Sequence, residues 1–64
     1  MSISEIMKDK NNKPMNKNGV ELRVIKWAQT GKVISYELYM DGDFLSRYNS
    51  EREARAMWKD FAGC

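Results

Sequence analysis

"MDGDFLSRYNSEREARAMWKDF", residues 40–61, decides the fold, because it spells a turn, a strand, a helix cap and a helix in succession. Asp41-Gly42 suits a two-residue type I′ turn, in which both central residues take positive φ, as Asp-Gly tolerates. Residues 43–48, DFLSRY, then run back as a strand. Ser50 and Glu53 form a capping box: the hydroxyl accepts from the Glu53 backbone N–H and the Glu53 carboxylate reaches back. Glu51 and Glu53 also suit the positive end of a helix. Ala54, Met57, Trp58, Phe61 and Ala62 follow at helical spacing as one apolar stripe, and Gly63 is placed to end the helix.

Working outward from this stretch, residues 20–28 (VELRVIKWA) and 32–40 (KVISYELYM) alternate and are rich in β-branched and aromatic side chains, as strands are. The expected fold is α+β: a three-stranded antiparallel sheet in the order β-β-β-α, packed on one C-terminal helix. Gln29-Thr30-Gly31 suits a three-residue loop with glycine in the left-handed region. That loop and the Asp41-Gly42 turn place Leu22, Val24, Ile34, Tyr36, Leu38 and Leu45 on the face that meets the helix. Tyr48 joins them if a bulge shifts the strand end. A two-residue loop instead turns Ile25 and Trp27 inward.

Residues 1–18 differ from the remainder and are expected to be a flexible or partly helical basic leader to a 19–64 domain. Lys8, Lys10, Lys13 and Lys17 face only Glu5 and Asp9 there, so the leader holds the whole net charge of +2. Asn11, Asn12, Pro14, Asn16 and Asn18 argue against regular structure past residue 10. Ser2 or Ser4 can cap one helical turn.

Composition narrows the function. Sixty-four residues make one domain that buries only about 60% of its unfolded surface, so a partner or a second copy is a usual source of added stability. There is no histidine, which removes the commonest general base and metal ligand, and the chain is read as non-enzymatic, with neither cofactor nor metal. No apolar run approaches the roughly 20 residues of a membrane span, and no signal-like segment opens the chain. The one cysteine, Cys64, reads as an exposed terminal thiol, and a reducing, cytoplasmic setting fits. The methionines show no ligand spacing, Trp58 reads as core, and Arg52, Arg55 and Lys59 read as a solvated helix face.

The other face of the sheet carries the functional expectation. One helix covers one face, leaving Arg23, Ile25, Trp27, Val33, Tyr39 and Phe44 as candidate partner-binding residues, unless Ile3, Ile6 and Met7 lie across them as a lid. The chain then reads as a protein-binding module acting on a partner protein or a second copy of itself, in the manner of small phage or mobile-element regulators and inhibitors.

Gly19-Val20, Tyr36-Glu37-Leu38-Tyr39-Met40-Asp41-Gly42, Phe44-Leu45-Ser46-Arg47-Tyr48-Asn49-Ser50 and Glu53-Ala54 resemble the AP2 and phage-integrase arm-binding domains over residues 19–62. The resemblance implies a sheet whose outer face enters the DNA major groove, with Arg23, Lys26, Trp27 and Lys32 as contacts. Together with a basic arm of Lys8, Lys10, Lys13 and Lys17, this makes nucleic acid the alternative partner. The family carries several basic residues on that face; here Arg23 stands opposite Glu37 among apolar neighbours.

Overall fold

A computed structural model describes residues 1–63; Cys64, and with it the expected terminal thiol, lies outside the described residues. The sheet has five strands rather than three: β1 (Ser2–Ile6), β2 (Asn16–Lys17), β3 (Val20–Trp27), β4 (Val33–Met40) and β5 (Asp43–Tyr48), followed by the helix α1 (Glu51–Ala62). The order across the sheet is β1-β3-β4-β5, with β2 pairing the start of β3 on the β1 side, and every pairing is antiparallel. The helix packs on β3, β4 and β5.

Local chemistry sets the elements of the second half. Asp41 (φ 52°) and Gly42 (φ 87°) make the two-residue turn, and Met40 pairs with Asp43 across it. Ser50 Oγ accepts from the Glu53 N–H at 3.4 Å, and Gly63 (φ 76°) closes the helix through its N–H to the Lys59 carbonyl.

Two bulges then correct the expected faces. The β3–β4 loop spans four residues, 28–31: Trp27 N–H donates to Lys32 O at 2.9 Å and Gly31 N–H to Trp27 O at 2.8 Å. A register shift beside Ile25 and Lys26 leaves Ile34 unpaired and cancels the one-residue slip. Leu22 therefore faces Leu38 and Val24 faces Tyr36, while Lys26 pairs with Val33 instead of Ile34. A second bulge leaves Leu45 unpaired, so Ser46 lies opposite Leu38 and Tyr48 opposite Tyr36. Ile34 and Leu45, expected in the core, are each 40% exposed, and Tyr48 packs against the core from β5. On the helix, Ala54, Trp58 and Ala62 are buried and Met57 partly so, but Phe61 stands at the exposed margin of the stripe.

The leader is woven into the sheet. β1 lies along β3, from Ser2 opposite Trp27 to Ile6 opposite Arg23, as a strand rather than a helical turn or a lid. The chain then folds back at residues 9–13, where the Asp9 carboxylate accepts the N–H groups of Asn11 (2.8 Å) and Lys13 (3.0 Å), and Asn12 takes φ 61°. Met7 donates to Leu22 O, Leu22 to Met15 O and Met15 to Met7 O, which draws both methionines into the core. Two of the asparagines that argued against structure, Asn12 and Asn18, build its turns, since Asn adopts positive φ at low cost, and Asn16 lies in β2. Asn18 (φ 54°) and Gly19 (φ 81°) make the bend into β3, and Asn18 Nδ2 donates to Ala62 O at 2.6 Å.

The helix is anchored to the sheet by Trp58, whose Nε1–H donates to Val20 O at 2.9 Å within the core. Trp58→Phe keeps most of the apolar volume but strands that carbonyl, and is expected to cost about 1–3 kcal/mol in urea denaturation. Met15, only 2% exposed, makes the leader a structural part of the fold: Met15→Ala is expected to cost about 2–5 kcal/mol. The Lys13 N–H, seconded by that of Asn11 and by the nearby Lys13 and Arg55 charges, holds the Asp9 carboxyl below its ordinary range. A lowered folded-state value stabilises the loop fully above the ordinary aspartate range and loses that contribution as pH falls through the lowered value. NMR titration should show the Asp9 midpoint below that of the unfolded chain, and Asp9→Asn should flatten this part of the acid dependence.

Candidate functional site

Alternation along β3 keeps Arg23, Ile25 and Trp27 on the side away from the helix, and pairing adds Ser35, Glu37, Tyr39, Phe44 and Arg47 from β4 and β5. β1 widens this face with Ser4, opposite Ile25, and Ile6, opposite Arg23, instead of covering it. Phe44 is 56% exposed and Trp27 47%. Tyr39 and Phe44 meet edge to face, with ring centroids 5.9 Å apart at 79°. A concave end of about 480 Å³ lies between Gly19, Glu21, Arg23, Tyr39 and Asp41.

The charges on this face are largely used up within it. Arg23 donates to Glu21 Oε2 at 2.6 Å, to Ser4 Oγ at 2.6 Å and to Ser4 O at 3.1 Å. Glu37 accepts the Tyr39 hydroxyl at 2.7 Å and Arg47 at 3.1 Å. The hydrogen bond to Glu37, followed by burial and the Glu37 charge, holds the Tyr39 phenol above its ordinary range. The outcome is a face with the Tyr39–Phe44 pair at one end and Ile25 and Trp27 toward the other, separated by the self-neutralised Arg23–Glu37–Arg47 row.

Of the six residues expected at a partner surface, Arg23, Ile25, Trp27, Tyr39 and Phe44 lie on this face. Val33 does not: the bulge at Ile34 sets it opposite Lys26, on the helix side. The basic residues expected at nucleic acid are not gathered on the sheet. Lys26 also points to the helix side, where it pairs with Glu5 at 2.8 Å, and Lys32 lies in the exposed β3–β4 loop. Lys8, Lys10 and Lys13 belong to the leader loop and Lys17 to β2. Among the described residues no group of three or more His, Cys, Asp or Glu side chains is placed to hold a metal, and no helix is long and apolar enough to cross a membrane.

Ser4, Ile6, Glu21 and Arg47 were not expected as members of this sheet face. The signal for the first two was the alternation in SISEI, too short to outweigh the turn-forming residues after it. No family model matches the chain, and no curated protein or solved structure matches it at a significant level. The likeness to AP2 and arm-binding domains thus rests on the residues that suggested it.

Ser35, cross-strand from Ile25, is 2% exposed and its Oγ finds no hydrogen-bond partner. Ser35→Ala removes an unsatisfied buried hydroxyl, so stability should stay level or rise by up to about 1 kcal/mol in urea denaturation. For Tyr39, a raised folded-state value means a contribution intact below the ordinary tyrosine range and lost as pH rises through the raised value. Phenolate absorbance should report a late-titrating tyrosine that moves back toward the ordinary range in Glu37→Gln.

Proposed function

We propose that the chain is a non-enzymatic protein-binding module that docks through the outer face of its sheet, as a small regulator or inhibitor that works by occupying a partner's surface. The observation that carries this reading is the edge-to-face Tyr39–Phe44 pair, with Phe44 56% exposed, at one end of a face that no helix or strand of the described residues covers. Ile25 and the exposed Trp27 lie farther along the same face, beyond the Arg23–Glu37–Arg47 row. Aromatic residues and arginine dominate the energetics of protein interfaces, and an apolar patch rimmed by polar groups is the usual form of a contact surface. Internal pairing of Arg23 and Arg47 favours the same reading, because their charges are offset without a polyanion. For the same reason the sheet is poorly equipped to grip duplex DNA, whose phosphates supply most non-specific affinity.

Tyr39→Ala/Phe44→Ala is the test. Sedimentation over a concentration range establishes whether the partner is a second copy, and affinity capture with wild type beside the double variant establishes whether it is another protein. The double variant should fold, since Phe44 lies outside the core, and should lose association by at least about tenfold. Unchanged self-association and unchanged capture would overturn the assignment.

A further inference from the structure

A second surface lies on the helix side of the molecule, away from the outer sheet face. The leader loop and α1 enclose a cleft of about 650 Å³ whose rim carries Lys10, Lys17, Arg55 and Lys59. Arg55 ties the two walls together: it donates to Glu51 at 2.9 Å on its own helix and to Lys8 O at 3.2 Å and Met15 Sδ at 3.2 Å across the cleft. Its charge is thereby shared with Glu51. Lys10, Lys17 and Lys59 form no ion pair among the described residues. Asp9 is the one carboxylate of the lining, and the Asn11 and Lys13 N–H groups already occupy it. Residues distant in sequence thus bring three lysines, without an ion pair among the described residues, to the lining of one concavity, in a chain whose sheet face neutralises its own charges.

We infer that this cleft binds the phosphodiester backbone of single-stranded nucleic acid. The charge of its lining favours that class: the lysines and the arginine outnumber the one carboxylate, Asp9. Lysine is depleted at protein interfaces, whereas contacts of positive side chains to phosphate supply essentially all of non-specific nucleic-acid affinity. The shape favours a single strand over a duplex, because the loop and the helix close the cleft on two sides and a double helix would touch only its rim. The contacts are to phosphate, so recognition is tolerant of base sequence. This binding does not depend on the sheet face, and a chain with both surfaces joins a protein partner to a single strand.

The test is fluorescence anisotropy of a labelled oligothymidylate of about 15 nucleotides with the full chain, at low and moderate salt. Neutralising about three phosphates predicts a slope of log affinity against log salt near −2. Lys17→Gln/Lys59→Gln should weaken binding about tenfold at low salt, and Lys10→Glu, in the exposed loop, should do so without touching a helix or strand. Lys32→Glu, in the β3–β4 loop, and the Tyr39→Ala/Phe44→Ala variant should bind as wild type does, which separates this site from the protein-binding face. Absence of binding at low salt would overturn the inference, as would equal binding of duplex DNA. Tighter binding of a labelled polyglutamate peptide than of the oligonucleotide would overturn it in favour of an acidic protein partner.

Discussion

The indole N–H of Trp58 and the carbonyl of Val20, 2.9 Å apart inside the core, hold the two layers of this molecule together. Val20 opens β3, the strand to which β1, β2 and β4 all pair, so this one bond references the helix to the centre of the sheet. A chain of 64 residues has little apolar surface to bury, and one helix on three strands would leave Trp58 partly uncovered. Met7 and Met15 complete its surroundings, and Arg55 and Asn18 fasten the leader to the helix at Lys8 O and Ala62 O. The leader stabilises the helix, and the helix gives the leader something to fold against.

Two single-residue irregularities decide what the sheet shows to either side. The slip introduced by the four-residue loop at 28–31 would turn every later side chain of β4 over, and the bulge at Ile34 cancels it before the core pairs begin. The bulge at Leu45 brings Ser46 and Tyr48 to the helix side and leaves Phe44 beside Tyr39 on the outer side. Without it, Leu45 would sit opposite Leu38 and the last strand would present a different edge. The outer face thus owes its aromatic pair to the Asp41-Gly42 turn and its far end to a bulge.

Charge is sorted between the two surfaces. On the sheet, Arg23, Glu21, Glu37 and Arg47 neutralise one another and orient Tyr39. Lys10 and Lys17 of the leader form no ion pair among the described residues and line the cleft with Lys59 of the helix. Pairings this exposed contribute little to stability individually. Their effect is on what each surface attracts: an apolar contact on one side and an anion on the other.

Cap and turn chemistry acts within four residues, so it was legible in the sequence: Ser50 to Glu53, Gly63, the type I′ turn at Asp41-Gly42, the helix stripe and the order of three strands and a helix. Alternation gave the outer-face positions of Arg23, Ile25 and Trp27, and the Asp41-Gly42 turn set Phe44 beside Tyr39. The pairing of β4 on β3 came out as expected only because the bulge at Ile34 cancels the slip of a loop one residue longer than the expected three. The strand β1 was not legible, because its partner lies about twenty residues away and five residues of weak alternation do not announce a pairing. Nor was the bulge at Ile34, which is the response of a strand to two constraints at once, a loop at one end and a core at the other. The bulge in β5 was expected only as the condition for Tyr48 to reach the core. The leader asparagines looked like breakers because composition cannot distinguish a turn that ends structure from one that folds a strand back. Local hydrogen bonding thus determined the elements from the sequence alone. Only the tertiary structure decided that the leader closes the core and that lysines far apart in the chain share one cleft, because both depend on contacts between segments whose approach no local propensity encodes.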